Sequence, residues 1–252
     1  MRRLLPALLA ISSIALISGC GRPKPAPLEP EEIGDFKDLF AGNCQGCHGE
    51  KGGFGPAPHI SDPMYLKLAS PQAIRKVIAE GRRGTPMPVF SAALGGPLSD
   101  KQIDTLVDGI EKTWGTPVDL HGAALPPYSD ADSIAAGLQP GDPNRGHNTY
   151  LLFCAGCHGT GVGKSPRGAI ANPAYLALVS NQSLRTTAII GRSDLGMPDW
   201  RNRIPNHSMS NQEISDVVAW LASQRPVYSN VPAATASLPA PATATAAKEP
   251  KP

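Results

Sequence analysis

The pentapeptide Cys44-Gln45-Gly46-Cys47-His48 recurs 110 positions later as Cys154-Ala155-Gly156-Cys157-His158. C-x-x-C-H is the attachment pattern of c-type haem: the two thiols form thioethers to the porphyrin vinyls, and the adjacent imidazole is delivered to the iron. The spacing suits one turn of helix, which places both sulfurs along one edge and the histidine beneath the metal. The competing chemistry for close Cys and His is structural zinc, which gathers four ligands around one ion. Here each copy carries a complete set for one haem. Four of the five cysteines are used in this way, and the fifth, Cys20, ends the leader, so no disulfide framework remains to assign. The expected cofactors are two covalent haem c groups held by Cys44, Cys47, Cys154 and Cys157.

The repeat extends well beyond the motif. At the same offset Phe40 meets Tyr150, Pro56 meets Pro166, Pro63 meets Pro173, Tyr65 meets Tyr175 and Arg75 meets Arg185. Gly81-Arg82 meets Gly191-Arg192, and Met87-Pro88 meets Met197-Pro198; after the methionine the offset becomes 111, and Ser99 meets Ser210. Internal duplication of this kind marks two structural units and singles out what both share.

Each copy reads as the same succession of helices. A first helix runs into C-x-x-C-H. A middle helix opens at Ser70 with Pro71 in its first turn and stops at Gly81, and its counterpart runs from Ser180 to Gly191. The last helix begins with Ser99-Asp100-Lys101-Gln102, or Ser210-Asn211-Gln212-Glu213, and both match a capping box. Ile103, Leu106, Val107 and Ile110 form a helical stripe, as do Ile214, Val217, Val218 and Leu221. No strand alternation stands out, and the expected fold class is all-α. Phe36 aligns with Gly146, and Gly109 aligns with Trp220. If the first and last helices of each copy cross, bulk sits on the first helix in copy one and on the last in copy two.

His48 and His158 are the expected fifth ligands of the two irons. The expected sixth ligands are Met87 and Met197, each 39 residues beyond its histidine and each followed by Pro. Glycine and proline around them shape a loop that presents a thioether without a helix. A soft thioether opposite imidazole favours Fe(II) and raises the reduction potential relative to two imidazoles. Filling both axial positions removes the open site that bond chemistry would need. The carbonyls at Pro56 and Pro166 are candidates to accept the imidazole N–H. Arg75, Arg185, Arg82 and Arg192 are the cations both copies share. They are candidates to neutralise haem carboxylates, with a solvated helix face as the alternative. Tyr65 and Tyr175 read equally as core or as partners of those carboxylates. Met64 and Met209 lack a methionine counterpart and read as packing, and His59, His121, His147 and His207 read as loop or surface residues.

The ends of the chain have other chemistry. Met1-Arg2-Arg3 followed by an apolar run to Ser18 reads as a secretory leader, and Leu16-Ile17-Ser18-Gly19-Cys20 resembles the bacterial lipobox that precedes a lipidated cysteine. That run is short for a transmembrane span, so the expectation is a lipid anchor at Cys20. The formal charge of +2 comes from Arg2 and Arg3, and nothing points to nucleic acid. Aromatics are only 5% of residues, few for two packed cores, which a covalent porphyrin in each unit would offset.

On these residues each half resembles a class I cytochrome c domain: C-x-x-C-H after a first helix, a proline on the proximal side, Met-Pro late and a capped C-terminal helix. The tandem is similar to dihaem cytochromes of the c4 type and to cytochrome subunits of bacterial respiratory complexes. It departs from the family where Phe36 stands in place of the usual first-helix glycine, which puts helix packing there in question. The expected organisation is a signal peptide over 1–19, a Pro-rich lipidated tether over 20–32, cytochrome c domains over 33–114 and 142–226, a linker over 115–141, and an Ala/Pro-rich disordered tail over 227–252. The resemblance implies a membrane-anchored, non-catalytic electron carrier on the periplasmic side of a bacterial membrane. Its redox partners would be a quinol-oxidising complex, a terminal oxidase or a soluble cytochrome, with no small-molecule substrate. The competing class is a dihaem peroxidase or the cytochrome subunit of a periplasmic dehydrogenase.

Overall fold

The computed structural model describes residues 32–226. The leader, Cys20, most of the tether and all of the tail therefore lie outside the described residues. Within them the chain is helical with no strand, only three isolated bridges. Copy one contains α1 (Phe36–Asn43), α2 (Gln45–His48), α3 (Pro63–Leu68), α4 (Pro71–Glu80) and α5 (Asp100–Trp114). The linker carries α6 (Asp130–Ala135). Copy two repeats the plan with α7 (Pro143–Phe153), α8 (Ala155–His158), α9 (Pro173–Leu176), α10 (Asn181–Ile190) and α11 (Asn211–Ser223).

Local chemistry sets these boundaries. The Ser70 and Ser180 side chains accept the amides of Ala73 and Ser183 at the starts of α4 and α10, and Gly81 and Gly191 end those helices with positive φ. Capping boxes close on Ser99 and Gln102 for α5 and on Ser210 and Glu213 for α11. Short α3 and α9 each begin at a proline, behind the Asp62 or Asn172 cap. The segment read as a plain linker holds a third capping box, Ser129 with Asp132, and turns Ser133 inward at 1% exposure against copy two.

The last helix of each copy crosses the first, but the two crossings differ in kind. In copy one a Cβ on Gly109 would lie within 2.1 Å of the Phe36 ring, so an aromatic side chain fills the gap between α1 and α5. Phe36 then stacks edge-on with Trp114 and tilted against Phe40, with centroids 5.8 and 5.7 Å away. In copy two a Cβ on Gly146 would come within 1.9 Å of the Asp216 carbonyl oxygen, so there the backbones themselves meet. Trp220 is displaced to the side, 4.2 Å from Tyr150 and 5.2 Å from His147 between centroids. The exchange of bulk holds, and it is accompanied by a closer approach of α7 to α11. Arg145 on α7 reinforces that approach, donating to both oxygens of buried Asp216 at 2.8 Å.

Two substitutions separate these modes. Phe36→Ala should remove about 2–3 kcal/mol from copy one by opening a cavity, the range for a large aromatic discounted for its partial exposure. Gly146→Ala should cost copy two at least as much, because backbone has to move, and Gly109→Ala should also destabilise copy one, because the added methyl meets the Phe36 Cβ as well as its ring. Thermal unfolding followed by circular dichroism reads all three, and an unchanged melting curve for Phe36→Ala would show that the ring does not fill the crossing.

Candidate functional site

The two C-x-x-C-H segments are built alike from the backbone outward. The Cys44 amide donates to Phe40 O at 2.8 Å, and the Cys44 carbonyl accepts the amides of Cys47 at 3.2 Å and His48 at 3.0 Å. In copy two the Cys154 amide donates to Tyr150 O at 2.9 Å, and the Cys154 carbonyl accepts Cys157 and His158 at 3.2 and 2.9 Å. Each motif is thus one tight turn, ended by Gly49 or Gly159 at positive φ. No disulfide joins the cysteines. Burial pushes the Cys44 thiol up to about 11 and raises Cys154 as well. That is opposite to the lowered pKa of a redox-active C-x-x-C thiol.

The histidines are oriented by backbone. His48 Nδ1 donates to the Pro58 carbonyl at 2.9 Å, and His158 Nδ1 donates to the Gly168 carbonyl at 2.8 Å. A carbonyl only accepts, so the proton sits on Nδ1 and the Nε2 lone pair is left for a metal. The accepting carbonyls lie two residues beyond Pro56 and Pro166, which corrects the expectation for those prolines. The reason is the path of the loop: the Ala57 amide is first spent on Cys47 O at 3.0 Å, and Arg167 on Cys157 O at 3.2 Å. The chain then needs another residue to reach the ring. Burial lowers the His48 pKa, against the raising effect of its backbone hydrogen bond, and so favours the neutral imidazole that a metal requires.

The methionine loops are pinned just as symmetrically. The Arg82 amide donates to Met87 O at 3.1 Å, and the Arg192 amide donates to Met197 O at 3.0 Å. Gly81 and Gly191 lie against the following Met-Pro backbone, where an added Cβ would come within 2.6 and 2.4 Å of it. Met87 and Met197 are half-buried, whereas Met64 and Met209 are in the core. A cavity of about 680 Å³ opens beside Met197, lined also by Met64, Val118 and Ile190.

The four shared arginines go to different partners. Arg75 lies on the surface and bonds Asp104 at 2.7 Å and Asp100 at 3.0 Å on α5. Its counterpart Arg185 is fully buried beneath the linker, donating to Pro127 O at 3.0 Å, Ser215 Oγ at 2.9 Å and Asp130 at 3.3 Å. Arg82 donates to the Tyr128 hydroxyl at 3.1 Å, and Arg192 forks onto Asp194 at 2.8 and 2.7 Å. Sequence reasoning missed Arg203, which has no counterpart in copy one. It donates to Ala188 O at 2.9 Å and is electrostatically coupled to Cys154 and Cys157. Arg203 Nε and Arg185 Nη2 are buried without a hydrogen-bond partner among the described residues. Paired thiols, an imidazole with Nε2 free and a loop thioether in each copy fit a haem, and in copy two the unpartnered Arg203 Nε lies beside the thiols where a haem carboxylate would need a partner.

A family model described as cytochrome c oxidase, cbb3-type, subunit III matches residues 31–108 and 141–221, one segment for each copy. Among curated proteins the chain is 29% identical over 132 residues to the cbb3-type cytochrome c oxidase subunit CcoP of Rubrivivax gelatinosus, covering 52% of this chain and 35% of that protein. It is 27% identical over 177 residues to the cbb3-type cytochrome c oxidase subunit FixPc of Rhizobium leguminosarum bv. viciae, covering 66% and 53%. The chain thus spans between about a third and about half of these relatives. A chain of the Kuenenia stuttgartiensis reducing HAO-like protein complex superposes with a TM-score of 0.42 at 16% identity, over 80% of this chain and all of that one.

Glycines within and beside the first motif provide a direct check on this construction. A Cβ on Gly55 would meet Cys47 O at 2.2 Å and Gly49 N at 2.7 Å, whereas one on Gly46 meets nothing within 4 Å. Gly55→Ala should therefore push the loop off the motif and reduce covalent haem to about one per chain, while Gly46→Ala keeps both. Intact mass of the purified protein distinguishes the two outcomes.

Proposed function

We propose, from the premise that the chain belongs to the family of cytochrome c oxidase, cbb3-type, subunit III, that this dihaem c-type cytochrome relays single electrons as a non-catalytic subunit of a terminal oxidase. The observation that carries the reading is the doubled presentation of a backbone-oriented imidazole and a pinned Met-Pro loop. When bound, haem supplies one-electron Fe(III)/Fe(II) chemistry, and His/Met ligation biases it toward the reduced form relative to two imidazoles.

The residues divide the work. Cys44 and Cys47, and Cys154 and Cys157, hold the porphyrin through thioethers. His48 and His158 offer Nε2 from one side, each ring kept from turning by its Nδ1 bond. Met87 and Met197 would supply a thioether sulfur to each iron, which would close it to peroxide or oxygen. Arg203, beside Cys154 and Cys157, would meet a haem carboxylate with its unpartnered Nε, while Arg185 serves the linker. Arg82 and Arg192 stand at the base of the methionine loops with their charges already shared with Tyr128 and Asp194. The working units are the domains 33–114 and 142–226, joined by the linker 115–141. Cys20 is the lipid anchor and the Pro-rich segment after it the tether, which places the domains on the periplasmic side of a membrane. Among the described residues no helix is long and apolar enough to cross one.

The relatives named as oxidase subunits support a terminal oxidase as the partner. Carbon monoxide tests closure of the axial positions. The reduced protein should not react with it, whereas Met197→Ala should let about half of the haem bind. Reaction of the parent protein would show an open site and favour an enzyme. The anchor has its own check: Cys20→Ala, expressed with its leader, should move from the membrane to the soluble fraction.

A further inference from the structure

The two copies touch through residues that break the internal repeat. Copy one contributes the Phe54 amide, His59 and Asp62. Copy two contributes Arg192, Ser193 and Asp194. At the repeat offset Asp194 falls on Gly84, Ser193 on Arg83, His59 on Ala169 and Asp62 on Asn172. Thus Asp194, Ser193, His59 and Asp62 have no like residue at the equivalent position of the other copy, whereas Arg192 is matched by Arg82.

The contact is buried and charged. The Asp194 side chain is 1% exposed and accepts the Phe54 amide from copy one at 3.1 Å. It also takes the Arg192 fork, and His59 Nδ1 lies 3.5 Å away. Ser193 donates to Asp62 Oδ2 at 2.6 Å, while the other Asp62 oxygen caps α3 at Met64 N, 2.7 Å. Charge-assisted bonds of this kind, out of water, are about twice as strong as neutral ones.

What the contact joins gives it a role. On one side it grips the loop around His59, the residue after Pro58, whose carbonyl orients His48. On the other it grips the 192–197 loop, closed by Arg192 N to Met197 O at 3.0 Å and Met197 N to Arg192 O at 2.9 Å. We propose that Asp194, aided by Ser193, is a positioning residue that fastens the Met197 loop of the second haem site to the His48 loop of the first, so that sixth-ligand retention in domain two depends on domain one. This rests on the assignment of Met197 as a ligand.

The test uses the full-length ferric haem-loaded protein in a Met87→His background, in which any remaining methionine-to-iron charge-transfer band belongs to domain two. Imidazole is titrated until that band bleaches. Asp194→Ala should lower the half-bleaching concentration about tenfold, the effect of roughly one lost charge-assisted hydrogen bond. Asp194→Asn, which keeps one acceptor oxygen, should fall between the two. Ser193→Ala, an exposed position, should lower it about threefold and carries the test if Asp194→Ala does not accumulate. Arg145→Met weakens the α7–α11 pairing of the same domain without touching the loop, and should leave the value unchanged. Equal values for the Asp194 and Ser193 variants and the parent would overturn the inference while leaving Met197 as a ligand. A shift as large in Arg145→Met would also overturn it, by showing general loosening. A parent with no band at all would overturn the ligand assignment and this inference with it.

Discussion

The proposed haem sites depend on a hydrogen bond from each motif imidazole to a backbone carbonyl ten residues on. A histidine ring on a four-residue helical turn is free to rotate and to carry its proton on either nitrogen. The carbonyls of Pro58 and Gly168 remove both freedoms. Their placement requires the loops after C-x-x-C-H to double back, which is why the Cys47 and Cys157 carbonyls are tied to amides ten residues on. Glycines at 49, 55 and 159 permit the tight return. The rest of each copy, four capped helices and a methionine loop, is built around that ring.

Duplication then left room for divergence where the fold tolerates it. The same helix crossing is filled by Phe36 over Gly109 in one copy and by direct backbone approach at Gly146 in the other. The same arginine is a surface residue in copy one and a buried clasp for the linker in copy two. These are alternative solutions to one packing problem. Differences at Asp194, Ser193, His59 and Asp62 are of another sort, since they meet one another across the boundary.

Much of this was legible in the residues because it is local. Ser70, Ser99, Ser180 and Ser210 announce helix starts through side chains that cap amides three positions on, and the proposed ligands Met87 and Met197 stand out by equal spacing. The short helix after Ser129 carried the same capping signal, but the prolines around it read as linker. What could not be read depends on the path of the chain through space. The carbonyl that meets His48 belongs to Pro58 and not Pro56 because a loop's course decides which oxygen points inward. Arg203 lacks a counterpart, so an overlay of the two halves passes over it, and only folding brings it beside Cys154.

The most direct measurement of the central claim, two irons each held between imidazole and thioether, is X-ray absorption at the iron edge of the ferric haem-loaded protein. The account predicts about one sulfur and about five nitrogens around each iron, averaged over both sites. About half a sulfur per iron would mean that one of the two methionine loops does not supply a ligand, and would contradict the twin construction on which the electron-relay reading stands.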